Sequence, residues 1–189
     1  MSDPTPRPPR EPVLRPYLER DLDGLVAVND AAYPAVPITP AAELAELIGM
    51  SSVAVVVDDG AAAGFILGMP PGLAYQSENY LFFSARAREH GTSFVYVDRI
   101  VLAAHLRGQG LGPLLYEAAF AEARRVGADE VLCEVNLEPP NPGSLAFHTR
   151  LGFTQVGRQS TKGGANVVAL LAAPVVTPAV TPGQIVGSE

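Results

Sequence analysis

A strand-like run, Phe94-Val-Tyr-Val-Asp-Arg-Ile-Val-Leu102, leads into Arg107-Gly-Gln-Gly-Leu-Gly112 and then into a helical segment of roughly residues 109–126. That order admits few folds, because it builds an anion cradle. Three glycines in five residues let the backbone approach a ligand with no Cβ in the way. The helix that follows aims its unpaired N-terminal N–H groups and positive dipole end at the same point. A pyrophosphate is the natural occupant. Pro113 agrees: inside a helix it costs ~3 kcal/mol, but in the first turn its missing N–H has no helical partner anyway. Its restriction on the preceding residue falls on Gly112, which tolerates it. The helix must therefore begin close to residues 108–110.

Two common phosphate motifs fit these residues badly. A P-loop requires Gly-x-x-x-x-Gly-Lys-Ser/Thr, and no Gly-Lys-Ser or Gly-Lys-Thr occurs in the chain. A dinucleotide-binding fingerprint requires G-x-G-x-x-G in an early βαβ unit, whereas the spacing from Gly108 is G-x-G-x-G. Plain turn chemistry at a helix start is the remaining bland reading.

Arg107-x-x-Gly110-x-Gly112 after a strand and before a helix resembles the acyl-coenzyme A loop of the GNAT acetyltransferase superfamily. A second block lies downstream, after a strand-like Glu130-Val-Leu-Cys-Glu-Val-Asn136. It is Asn141-Pro-Gly-Ser-Leu-Ala-Phe-His148, ending Leu151-Gly-Phe153. Asn141, Ser144, Phe147, His148, Gly152 and Phe153 match that family's spacing. The resemblance covers roughly residues 13–172 and is densest over 96–157. The wider block around Cys133 to Ser144, with Tyr-Val-Asp-Arg upstream, is similar to an uncharacterised bacterial branch of predicted acetyltransferases.

Composition sets outer bounds. With 189 residues the chain suits one domain. Hydrophobic content of 48% with 18 Gly and 18 Pro suggests a compact α/β domain rich in turns. No run approaches the ~20 apolar residues of a membrane span, and the first ten residues lack the apolar core of a secretory peptide. The single Cys excludes an internal disulfide and suits a reducing cytoplasm. A net charge of −7 argues against general nucleic-acid binding. It suits either cationic acceptors drawn to a negative cleft or simply a solvated acidic surface.

Along the chain, residues 1–12 read as a disordered Pro/Arg-rich arm, 13–173 as the domain and 174–189 as a flexible tail. A strand is predicted at 13–18, helices at 21–33 and from Thr39, and a hairpin at 52–57 and 63–69 around Asp58-Asp-Gly60. A short helix at 80–89 precedes the central strand. Strand, helix, strand, helix, strand, strand complete the order, the last strand covering about 165–172. The resemblance implies an α/β (α+β) fold: a mixed, centrally splayed sheet of about six or seven strands flanked by about four or five helices.

The resemblance also implies acetyl-CoA as donor, released as CoA, and a set of donor-binding residues. These are the backbone of Ile100, Val101 and Leu102, the loop Arg107, Gly108, Gln109, Gly110, Leu111 and Gly112, and Asn141, Ser144 and Phe147. His148 stands where relatives carry the tyrosine that protonates the departing thiolate. An imidazole titrates near 6.5 and suits that role, or is structural. Strand alternation puts Phe94, Tyr96 and Asp98 on one face. Asp98 is a candidate base or the partner of Arg99, and Glu134 on the next strand is the rival base. Cys133 reads as core filler rather than a nucleophile. The acceptor pocket is expected from residues 33–39 and 75–80, with Tyr33, Tyr75, Asn79, Tyr80 and Tyr96 as candidate contacts. No metal is expected.

Two functions fit. One is an N-acetyltransferase acting by direct transfer on a primary amine of a small molecule or peptide. The other is an acyl-CoA-binding sensor or interaction module without turnover, motivated by the missing tyrosine at His148. Neither involves nucleic acid or membrane, and the resemblance also admits a homodimer.

Overall fold

The computed structural model describes residues 11–176. The predicted arm therefore falls almost wholly outside the described residues, as does the tail beyond Val176.

Seven strands form one sheet in the order β1-β2-β3-β4-β5-β7-β6. They are β1 (Val13–Pro16), β2 (Val53–Asp58), β3 (Ala62–Met69), β4 (Phe94–Leu102), β5 (Glu130–Glu138), β6 (Thr154–Thr161) and β7 (Asn166–Pro174). Among the described residues five α-helices flank it: α1 (Leu22–Asp30), α2 (Ala41–Met50), α3 (Glu78–His90), α4 (Leu111–Val126) and α5 (Pro142–Arg150). The mixed α/β class and the splayed sheet agree with the sequence reading. The last strand runs to Pro174, which pairs with Glu130, so the first residue assigned to the tail belongs to the sheet.

Every neighbouring pair of strands is antiparallel except β4 and β5. That parallel pair is short. Only Phe94, Val95 and Tyr96 pair with Glu130, Val131 and Leu132, although each strand has nine residues. Beyond Tyr96 the two strands part and leave a cleft in the middle of the sheet. β4 is also bulged there: Leu67 faces Arg99 and Gly68 faces Val97, leaving Asp98 as an extra residue.

The sheet divides two cores. One packs Leu25, Leu44, Leu47, Tyr80 and Phe83 of α1, α2 and α3 against Phe65, Phe94 and Tyr96. The other packs Leu111, Leu115, Tyr116, Ala119 and Ala123 of α4 against Val95, Val97, Val131 and Cys133, with Leu145 and Phe147 of α5 beside them. Spacing of three and four residues along α4 explains its single buried stripe. The helix ends at Gly127, whose φ of +69° places it in the left-handed region. α4 begins at Leu111 rather than 109, because Gly110 has φ +77° and cannot be helical. Thr39 does not cap α2; its side chain turns instead toward Arg99. Among the described residues no helix is long and apolar enough to cross a membrane.

Two glycines should respond oppositely to alanine. A Cβ on Gly64 would lie 2.7 Å from Leu102 Cδ2 and 2.9 Å from the Val101 carbonyl oxygen, whereas one on Gly49 meets nothing within 4 Å. Gly64→Ala should cost about 1–3 kcal/mol by forcing β3 from β4. Gly49→Ala should gain about 0.5–1 kcal/mol, because Gly49 is a helical glycine with space around it. Denaturant midpoints of the two variants check both signs.

Candidate functional site

The loop before α4 borders a cavity of about 560 Å³ between the N-terminus of α4 and α5. Gly108 and Gly110 hold φ of +75° and +77°, which their lack of a Cβ permits. Gly110 caps α4 without a side chain. The N–H groups of Gly110, Leu111 and Gly112 have no partner among the described residues, and Pro113 has none to offer. Gly112 serves close packing as well: a Cβ there would sit 3.0 Å from Phe147 Cζ.

The predicted donor-site residues divide. Ile100, Leu102, Arg107, Gly108, Gly110, Leu111, Gly112, Ser144 and Phe147 line this cavity. Arg107 donates Nε to the Leu102 carbonyl at 3.1 Å, which ties the loop to the end of β4. Gln109 does not line the cavity; it donates to the His105 carbonyl at 2.7 Å and braces the loop. Val101 turns its side chain into the opposite core. Asn141 is the cap of α5, accepting from Ser144 N at 3.2 Å. Arg150 lines the cavity too, and no motif in the sequence pointed to it.

A second cavity, about 780 Å³, lies on the other side of the cleft. Tyr33, Tyr75, Asn79, Asp98 and Glu134 line it, joined by Arg99 and Tyr116. Ile100, Ser144 and His148 border both cavities, so the two meet there. Two predicted contacts are elsewhere. Tyr80 is buried, its hydroxyl donating to the Pro70 carbonyl at 2.8 Å and accepting from Leu73 N at 2.9 Å, so it is a core strut. Tyr96 is fully buried and acts from behind the wall: its hydroxyl donates to Glu134 Oε2 at 2.9 Å.

Both candidate bases are largely shielded from water, the Asp98 side chain buried and Glu134 half-buried. Burial raises Glu134, the nearby Asp98 charge raises it further, and hydrogen bonds from Tyr96 and Asn79 oppose the shift; the carboxyl titrates at about 8. Asp98 is raised by burial against the opposing pull of Arg99 and a hydrogen bond from Tyr75. The Tyr75 hydroxyl donates to Asp98 Oδ1 at 2.7 Å. Cys133 also lines the cavity, but burial pushes its thiol up and keeps it protonated. Among the described residues no cluster of three or more His, Cys, Asp or Glu could hold a metal.

His148 is 3% exposed, with both ring nitrogens engaged. Nδ1 lies 2.7 Å from the Ser144 carbonyl, an acceptor only, so Nδ1 carries the proton. Nε2 then accepts from the Tyr116 hydroxyl at 2.6 Å. Burial lowers the imidazole's pKa and favours this neutral tautomer. His148 is thus half of a pair, and its own N–H is spent on main chain. A separation of 32 positions along the chain explains why the sequence did not disclose Tyr116.

Arg99 was also missed as a cavity residue. Simple alternation points it away from Asp98, but the bulge turns both to one face. Its Nη1 donates to Asn29 Oδ1 at 3.0 Å and Thr39 Oγ1 at 2.7 Å.

The fold has known counterparts. A search of curated protein sequences finds no match. Among solved structures, Ard1 from Thermoplasma volcanium superposes with a TM-score of 0.68 at 15% identity, covering 88% of this chain and 99% of its own. The ribosomal-protein-S18-alanine N-acetyltransferase from Escherichia coli gives 0.65 at 16%, covering 88% and 96%. Arabidopsis thaliana Naa50, in complex with the bisubstrate analogue CoA-Ac-MVNAL, gives 0.61 at 15%, covering 85% and 97%. At such identities the likeness is one of fold. In sequence, residues 23–153 match the model of the acetyltransferase (GNAT) family, and this chain belongs to that family.

Proposed function

We propose that this protein transfers the acetyl group of acetyl-CoA to a primary amine, directly and with both substrates bound. The observation that carries the reading is the meeting of the two cavities at Ile100, Ser144 and His148. One is walled by an open helix N-terminus and the other by largely shielded carboxylates. The first suits the donor by its chemistry: three free N–H groups and Arg107 for phosphates, with Ile100, Leu102 and Phe147 for the apolar arm. That Naa50 shares the fold and was solved with a CoA-containing analogue supports the same donor here.

In the second cavity Glu134 takes the proton of the incoming ammonium, directly or through water. A base titrating at about 8 accepts that proton readily and is partly ionised near neutral pH. Asp98 keeps the cavity negative, which favours the amine's approach. At the junction, the thiolate-acid role expected of His148 passes to the pair. The Tyr116 O–H breaks to protonate the departing thiolate, and the phenolate so formed recovers the proton that Glu134 took from the amine, directly or through water. His148 stays neutral, with Nδ1–H on the Ser144 carbonyl and Nε2 holding the phenol in place.

Thermal unfolding tests the donor. Acetyl-CoA at 100 times its dissociation constant should stabilise the protein by ~2.7 kcal/mol, and Gly110→Asp should abolish the shift by setting a carboxylate in the anion cradle. NADPH should give no shift.

The pH profile tests the base. Glu134 is active only when ionised, so kcat/KM should rise with pH through an inflection near 8. Glu134→Gln should remove that inflection and lower the plateau by about 10²–10⁴-fold. An unchanged profile would clear Glu134 of the role.

Tyr116→Phe and His148→Phe should each lower kcat with little change in acetyl-CoA affinity. The double variant should lose scarcely more than either single one, because the two act as a unit. Additive losses in steady-state kcat would dissolve the pair.

A further inference from the structure

The amine chemistry above leaves the Arg99 guanidinium of the acceptor cavity unused. The bulge in β4 sets an anion and a cation, Asp98 and Arg99, side by side on the cavity wall. They satisfy each other poorly. Arg99 Nε and Asp98 Oδ2 are 3.5 Å apart, beyond a good hydrogen bond, and both atoms are buried without a hydrogen-bond partner. The other hydrogen bonds of the guanidinium run from Nη1 to neutral oxygens of Asn29 and Thr39. Nη2 donates to no described residue. A guanidinium does not lose its proton. Holding it buried with its fork half used is costly unless an anion completes it.

The remaining charges in the cavity wall are Glu134, which is raised to about 8, Glu43, Glu78 and Lys162. Lys162 is exposed, so Arg99 is the buried cation of this wall. A ligand with an ammonium and a carboxylate on neighbouring atoms complements the pair in reverse order. Its cation faces Asp98 and Glu134, and its anion faces Arg99. Planar, two-pronged recognition of carboxylates is what the guanidinium fork does best.

We infer that Arg99 binds a carboxylate of the acceptor, and that the acceptor is a free amino acid or another small amine with a carboxylate beside it. This rests on the transferase reading of the site. A peptide N-terminus fits less well, because it presents a neutral amide where the carboxylate belongs.

The test compares matched acceptors. Thiol release from acetyl-CoA is measured for each common amino acid, its amide, and the amine lacking the carboxyl group. For the best acceptor, kcat/KM should exceed that of both partners by about tenfold or more. Arg99→Lys, which keeps the charge but loses the fork, should bring the ratio toward one. No amino acid outperforming its amide, or a ratio unmoved by Arg99→Lys, overturns the proposal. Arg99 also anchors the chain before α2, so the wild-type series is decisive by itself should the variant not fold. A second readout uses protein saturated with CoA. The N-acetyl derivative of the best amino acid should raise Tm, and the matching N-acetyl amine at equal concentration should not; equal shifts overturn the inference. The two layers fail separately. No Tm shift with acetyl-CoA sinks the transferase reading, whereas a shift without carboxylate preference sinks only the Arg99 subsite.

Discussion

The parting of β4 from β5 is the constraint on which the rest of this structure depends. Three residue pairs join the strands, and beyond Tyr96 and Leu132 they diverge. A sheet interior normally satisfies its backbone on both sides. Here β4 keeps β3 on one side and faces a cleft on the other, while β5 keeps β7. The cleft admits both cavities and lets them meet at Ile100, which belongs to the diverging part of β4. α4 and α5 pack on the same face, and their ends frame the opening. Had the strands stayed paired, Asp98 and Glu134 would sit within a closed sheet with no space before them.

The charges along this cleft conflict with ordinary core energetics. Burying a carboxylate without a cation is expensive, and the group answers by holding its proton. Glu134 does so, supported by the Tyr96 hydroxyl. Asp98 sits between Tyr75 and Arg99 without being fully satisfied by either. Such groups detract from stability, and their number in one wall is hard to explain as packing.

Much of this was legible from the sequence for local reasons. Glycines at left-handed positions, Pro113 in a first turn, and the Asp58–Gly60 turn, where Gly60 N donates to Asp58 Oδ1 at 2.8 Å, act over a few residues. The cavity beside the start of α4 follows from them almost directly. The second cavity was less legible because its geometry is not local. A one-residue bulge reversed the facing of Arg99, and no periodicity announces a bulge. Tyr80 resembled its neighbour Tyr75 in composition and context, yet one helical turn carried it into the core. Asn141 matched a family position, and its visible task is capping. Tyr116 could be found only by folding α4 against α5.

The segment between α1 and α2 is secured mainly at its ends. Asn29 and Thr39 bond to Arg99, Asn29 reaches the Pro37 carbonyl at 2.9 Å, and Asp30 accepts from Thr39 N at 3.1 Å. Between these anchors Tyr33 and Ile38 stand 64% and 62% exposed at the rim of the second cavity. Their side chains bear little of the fold's weight. Mutation can therefore sample this rim with small penalties while the clamp and the reaction chemistry stay constant. If this cavity takes the acceptor as proposed, descendants of one ancestral scaffold diverge in what they acetylate through a handful of substitutions here, without first acquiring compensating stability elsewhere.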